Sequence, residues 1–330
     1  MNTNDTNSEK ANFIDHLARR MTWPRFFFAL GLIVFWTTII FPFYWMVSSS
    51  FKTGEQMAGR APVFVPTELR WDAYLELFDP SPEYTRYLWN HVWYRLLGGY
   101  NIQFDAPRER FQDFGVNVIN SLFVAVPTAL IAVILSMLGA YAVARLNFRG
   151  KDFLLNSILI IYLFPGILLI IPLFAMLSQL SQYVGVEVQD NLPVLIFTYL
   201  AQTLPVALYM LANYFRTIPD EIEQAALIDG CTRLGVIWRV TMPLAVPALV
   251  SVAIYTFMIA WNEFLYALVF LNDRFMFTMP IKINAIFNDP SPRMEVVMAA
   301  STVMSLPVMV LFLALERFLA EGLSAGGVKG

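Results

Sequence analysis

The sequence predicts an all-α integral membrane protein, with six transmembrane helices and one polar helix between the fourth and fifth spans. Three observations predict it. Of 330 residues, 58% are hydrophobic and only 14% charged, whereas a soluble domain carries about 45–50% apolar and about 25% charged residues. Six apolar stretches reach the length of about 20 residues needed to cross about 30 Å of hydrocarbon. One segment between them, Arg216 to Val240, is far more polar than its neighbours.

The same numbers exclude other classes. A soluble enzyme would need more charge to wet its surface. A disordered chain could not keep 28 Phe, 14 Tyr and 8 Trp solvated. A net charge of -3 gives no basic field for nucleic acid. The single cysteine, Cys231, permits no intrachain disulfide. His16 and His91 form no metal-ligand motif, so no metal site is expected.

The elements follow in order. Residues 1–25 read as a polar tail, with a short amphipathic piece near Phe13 to Arg20. Phe26 to Val47 is the first span. It is too long for a cleaved signal peptide, and Ser-Ser-Ser-Phe-Lys follows it instead of a small-residue cleavage site. Residues 48–115 form a long connection, expected to be partly helical. Its part from Asp79 to Asp113 is rich in aromatic rings, which suits either a small helical cap or the lipid interface. Residues 116–318 hold the other five spans: Val116 to Ala144, Phe153 to Leu177, Leu192 to Phe215, Pro243 to Leu271 and Val297 to Phe318. Pro165-Gly166 and Pro172 are expected to kink or break the third span, which membrane helices tolerate when neighbours satisfy the freed carbonyls. Residues 319–330 form a second tail.

Orientation follows from Lys and Arg in the short connections. Lys10, Arg19, Arg20 and Arg25 precede the first span. Arg145, Arg149 and Lys151 follow the second, and Arg216, Arg233 and Arg239 follow the fourth. The connection Ser178 to Asn191 has none. Both termini are therefore expected on the cytoplasmic side. The 48–115 loop falls outside despite seven basic residues, because long loops translocate largely regardless of charge. The 272–295 connection falls outside as well.

Arg216 to Val240 reads RTIPDEIEQAALIDGCTRLGVIWRV. Pro219 suits a first helical position, and Asp220, Glu221 and Glu223 favour the positive end of a helix dipole. Gly230 suits the helix end. A helix over 219–231 is predicted. Ile222, Ala225, Ala226 and Asp229 share one face at i, i+3, i+4 and i+7. Its small side chains suit docking in a groove of another protein. A plain hairpin helix would explain the composition equally well.

The wording of this segment resembles the signature of the membrane subunits of binding-protein-dependent ABC importers. That signature is Glu-Ala-Ala, three residues, Gly, nine residues, Ile, one residue, Leu-Pro. Ala225, Ala226 and Gly230 match it, and Val240, Met242 and Pro243 stand at the Ile, Leu and Pro places. Gln224 stands at the Glu place, with Glu223 one residue earlier. Ser49 to Thr53, Asn120-Ser121-Leu122 with Gly139 to Ala142, Phe148 to Lys151, Trp261 to Phe264 and the tail from Gly322 to Gly330 are similar to the maltose-type (MalG-like) sugar permease group, in the same order along the chain.

The resemblance implies a permease subunit of an ATP-driven sugar importer in a prokaryotic cytoplasmic (inner) membrane. The implied partners are a second homologous permease, two cytoplasmic ATPase subunits, an extracytoplasmic sugar-binding protein and membrane lipid. ATP and Mg would be bound by the ATPase subunits. This chain carries no phosphate loop and is expected to hold no cofactor and to be no enzyme. Glu223, Gln224, Ala225, Ala226, Asp229, Gly230 and Pro243 would form the ATPase-coupling element. Gly326, Gly327, Val328 and Lys329 would contact the ATPase dimer, although the same glycine-rich tail suits a frayed end.

Glu263 is the acidic residue placed well inside a span, and an intramembrane carboxylate is a functional candidate. Three readings stand for it: hydrogen bonds to sugar hydroxyls, a pair with a cation of the partner permease, or satisfaction of broken backbone groups. Asn262 beside it would point about 100° away on a continuous helix. Asn120, Gln202 and Asn213 suit either substrate contact or interhelical hydrogen bonding. Tyr162 and Phe164 suit stacking on a sugar or plain packing. An ion-gradient-driven secondary transporter is the alternative class. It calls for inverted repeats and several intramembrane ionisable groups.

Overall fold

The computed structural model describes residues 23–78 and 114–327, and among these every regular element is helical. The amphipathic piece near residues 13–20, the aromatic stretch 79–113 and Val328 and Lys329 lie outside the described residues.

Helix α1 is Trp23–Ser50. Short helices α2 (Gly54–Ala58) and α3 (Asp72–Leu77) lie in the connection that follows. Helix α4 is Phe114–Arg145, α5 is Lys151–Leu163 and α6 is Ile170–Val184, with a 3₁₀ turn over Gly166–Leu169 between the last two. Helix α7 is Leu192–Phe215 and α8 is Asp220–Ile228. Helix α9 (Arg233–Val236) passes through a π-helical turn into α10 (Met242–Leu244). Then come α11 (Val246–Asn262), α12 (Leu265–Phe270), α13 (Met279–Phe287) and α14 (Met294–Gly327). Among the described residues, five helices are long and apolar enough to cross a membrane, or six if the bent segment around Ala245 counts as one span.

The differences from the expected spans have local causes. The third span breaks at Pro165, which cannot donate a ladder hydrogen bond. Pro172, in contrast, sits in the first turn of α6, where no donor is needed. The stretch Pro243 to Leu271 is not one helix. It bends by 82° between Leu244 and Val246, where Pro247 opens α11. It breaks again after Asn262, where Glu263 turns to an extended conformation at φ -66°, ψ 129°. The 100° relation between Asn262 and Glu263 therefore does not hold, because no helix passes through both.

Two buried cores lie at opposite ends of the bundle. One gathers Phe114, Val124, Leu192, Tyr199, Trp261 and Ala300. The other gathers Ala140, Tyr141, Leu211, Phe215, Ile237 and Val252. Helices α4 and α7 both begin in the first core and end in the second, so they run the same way. Helix α11 runs from the second to the first, so it runs against them. Helix α4 is central: it packs on α7, α11 and α13. At Gly139 an added Cβ would lie 2.8 Å from Leu208 Cδ1, so α4 and α7 meet here through the flexible end of that side chain. Helix α1 packs on α14 and leaves most of its apolar surface exposed, as a lipid-facing helix would.

Candidate functional site

Two places combine sequence-predicted residues with a distinctive geometry. The first is α8. Pro219 is the residue just before the helix, and Asp220, Glu221 and Glu223 fill its first turn. The helix ends in a Schellman arrangement: Cys231 N donates to Ala226 O at 3.0 Å and Gly230 N to Leu227 O at 3.1 Å. Gly230 supplies the left-handed residue this needs, at φ +87°. The described helix is thus shorter than 219–231, because Gly230 and Cys231 form its cap.

The face of α8 turned into the bundle is defined by Glu223. That carboxylate is only 7% exposed. Its Oε1 accepts Arg145 Nε at 3.0 Å and Thr241 Oγ1 at 3.0 Å. Arg145, itself 8% exposed, also pairs with Asp220 and donates Nη2 to the Ile218 carbonyl at 2.8 Å. One guanidinium fork thereby holds three points of the segment that opens α8. The opposite face stays open. Ile222, Gln224, Ala225, Ile228 and Asp229 are exposed, and Ala226 is half-buried. Pro243 lies in α10, beyond the π-helical turn.

The second place is where two broken spans meet. Glu263 Oε1 accepts Tyr266 N at 2.8 Å, and its Oε2 accepts Ala267 N at 3.1 Å and the Tyr199 hydroxyl at 2.7 Å. The carboxylate therefore caps α12 and satisfies backbone donors freed by the break. Tyr266 then donates its hydroxyl to Gly166 O at 3.1 Å, inside the other break. Beside this junction lies a groove of about 610 Å³, lined in part by Tyr162, Phe164, Pro165, Gln202 and Tyr266. Among the described residues, no charged one lines it.

The remaining candidates fall elsewhere. Asn262 ends α11, is exposed, and donates to Met258 O at 2.8 Å. Asn120 is fully buried and donates Nδ2 to Phe275 O and Phe277 O at 2.7 and 3.1 Å, so it holds a connecting segment and does not line the groove. Gly326 and Gly327 end α14. Sequence reasoning did not single out Arg145, Thr241 or Tyr199 as site residues. The signal for Arg145 was available: a basic residue closing an apolar span, with an acid-rich helix start on the same side of the membrane. Among the described residues, no group of three or more His, Cys, Asp or Glu could hold a metal.

Comparison with known proteins gives the family and the fold. Residues 136–324 match the family described as binding-protein-dependent transport system inner membrane component. The chain is 39% identical over 311 residues to the inner membrane ABC transporter permease protein YcjP of Escherichia coli (strain K12), covering 94% of this chain and 99% of the relative. It is 32% identical over 314 residues to the trehalose/maltose transport system permease protein MalG of Thermococcus litoralis, again with 94% and 99% covered. Its fold is similar to a chain in the crystal structure of a bacterial ABC transporter that imports the acidic polysaccharide alginate. That match has a TM-score of 0.68 at 19% identity and covers 91% of this chain and 99% of the other.

Proposed function

The chain belongs to the family of binding-protein-dependent transport system inner membrane components, and from that premise we propose that it is one of two permeases in an ATP-driven importer of a di- or oligosaccharide. Its multi-pass, inner-membrane character comes with the family and the apolar helices. In this reading α8 is the coupling helix between spans four and five, and both termini are cytoplasmic. Two ATPase subunits bind ATP and Mg, hydrolyse the nucleotide and receive α8 in a groove. An extracytoplasmic binding protein delivers the sugar, and a second homologous permease completes the path. This chain performs no hydrolysis itself.

The observation that carries the reading is the two-faced character of α8. Its acidic side is anchored to the bundle by Arg145, while Ile222, Ala225 and Asp229 stay uncovered. A helix that is fixed behind and small-faced in front can transmit displacement from a partner. The sugar class is supported by relatives named for trehalose/maltose and arabinooligosaccharide transport. It also fits a groove lined by Tyr162, Phe164, Gln202 and Tyr266 without a charge. Gly326 and Gly327, with Val328 and Lys329 beyond them, are proposed to reach the ATPase dimer.

The test is purification of the chain with its neighbouring subunits, with and without Ala225→Trp. The wild-type chain is expected to bring down a soluble ATPase. The variant is expected to lose it while remaining inserted. An ATPase that never associates with the wild-type chain would remove the reading.

A further inference from the structure

Three cations line one small cavity where α1 ends and α14 begins. The cavity holds about 120 Å³ and is lined in part by Lys52, Arg70, Asp72, Arg293 and Glu295. It lies at the end of the bundle that carries the first core, to which Ala73 and Val296 belong. Helix α1 has 28 residues, or about 42 Å, against about 30 Å of hydrocarbon, so its end reaches headgroup depth. Tyr44, Val47, Phe64 and Val65 are exposed beside that end, as suits a helix meeting the membrane surface.

The three cations are neutralised to different degrees. Arg293 donates Nε to Glu295 Oε1 at 2.9 Å and also pairs with Glu76. Arg70 has Glu68 and Asp72 at 3.5 and 3.6 Å, too long for hydrogen bonds. Its guanidinium donors stay open to another acceptor, and their planar fork matches an oxyanion. Lys52 is only 3% exposed. Its Nζ donates to Ser49 Oγ at 3.0 Å and lies 3.8 Å from the centre of the Trp45 ring. No carboxylate among the described residues pairs with it. A buried ammonium without a counter-ion is costly. Burial pushes its pKa below the ordinary 10.5, and no anion holds it up. The carboxylates stand with the two guanidiniums, so the charge left over is that of Lys52. Cations on the wall disfavour a metal ion. The volume falls below the about 300–1,000 Å³ of pockets for larger organic ligands, so the ligand is small.

We propose that this cavity binds one phosphate group, with Lys52 and Arg70 as its ligands and Arg293 as part of its positive wall. The phosphate is the headgroup phosphodiester of a lipid lying on the exposed flank of α1, or free inorganic phosphate. The chemistry is the same, and the two arms of the test separate the sources. An anion held here joins the end of α1, the connection that follows it and the start of α14.

The first arm is equilibrium dialysis of the full-length chain, in a phosphate-free detergent, against radiolabelled inorganic phosphate. Chloride holds the ionic strength constant, so screening is the same throughout. The chain is used without partner subunits, so that no nucleotide-binding protein adds phosphate sites. Saturable binding of a single phosphate is expected in the wild type. Lys52→Met and Arg70→Gln are each expected to weaken it about tenfold or more, as the loss of one hydrogen bond to a charged group would. The Arg70 side chain is half-exposed, so Arg70→Gln carries the test if Lys52→Met does not fold. Arg149→Gln, an exposed cation beyond the opposite end of α4, should leave binding unchanged. The second arm is native mass spectrometry of the chain released from phospholipid nanodiscs. A phospholipid that the wild type retains, that both variants lose and that inorganic phosphate displaces identifies the lipid source. Phosphate binding without such a lipid identifies the free ion. Binding of neither form overturns the site, as does binding that Lys52→Met and Arg70→Gln leave intact or that Arg149→Gln weakens equally.

Discussion

Glu263 gives the sharpest energetic prediction, because one carboxylate serves three donors. It accepts Tyr199 Oη at 2.7 Å, Tyr266 N at 2.8 Å and Ala267 N at 3.1 Å. Tyr199, Tyr266 and Ala267 are buried, so water does not readily replace a lost partner. A buried donor left unmade costs about 1–3 kcal/mol, and local relaxation keeps the sum below full additivity. Glu263→Ala is therefore expected to cost about 3–5 kcal/mol and Tyr199→Phe about 1–2 kcal/mol. The double variant should cost at least about 0.5 kcal/mol less than their sum, since the second change removes an interaction already lost. Thermal unfolding of the solubilised chain, followed by the fluorescence of its 8 tryptophans, reads these values. At about 2–4 °C per kcal/mol, Glu263→Ala should lower the midpoint by about 6–20 °C. A midpoint within about 2 °C of wild type, or strict additivity, would refute the capping role. If stability held while sugar uptake vanished, the carboxylate would belong to the substrate instead.

Further outcomes follow from the packing. Gly139→Ala should be nearly silent in a thermal melt, because the atom in its way is the far end of the flexible Leu208 side chain. Gly139→Ile should separate α4 from α7 and cost about 1–3 kcal/mol. Lys52 is buried, with Ser49 Oγ at 3.0 Å and the Trp45 ring beneath it at 3.8 Å. Burial pushes its ammonium below the ordinary value of 10.5. The unfolded chain then holds the proton more tightly, so stability should rise as pH climbs toward that value. Melts from pH 8 upward check this, and Lys52→Met should flatten the slope.

Much of the architecture was legible in composition and hydropathy. The span Leu192 to Phe215 has the bounds of α7, and the Pro165-Gly166 break was visible as residues. These features are local, so local physics announces them. The break after Asn262 was not visible. No proline or glycine marks it, and it is held by Glu263 together with Tyr199, which lies on another helix. The open face of α8 could be read from its periodicity. That Glu223 is the buried carboxylate, while Asp220 and Glu221 stay exposed, could not, since it depends on where Arg145, 78 residues earlier, and Thr241 come to lie. Asn120 was noticed as a polar residue in a span, but its partners lie at residues 275 and 277. Sequence patterning reveals which polar residues are out of place, and tertiary structure alone reveals what they hold.

The most direct test of the central claim is uptake by proteoliposomes containing the assembled complex, with ATP on the α8 side and the binding protein on the other. A panel of di- and oligosaccharides serves as substrate. The account predicts uptake that requires ATP and binding protein and is indifferent to ionophores. Uptake that proceeds without ATP and collapses when proton and sodium gradients are dissipated would contradict it.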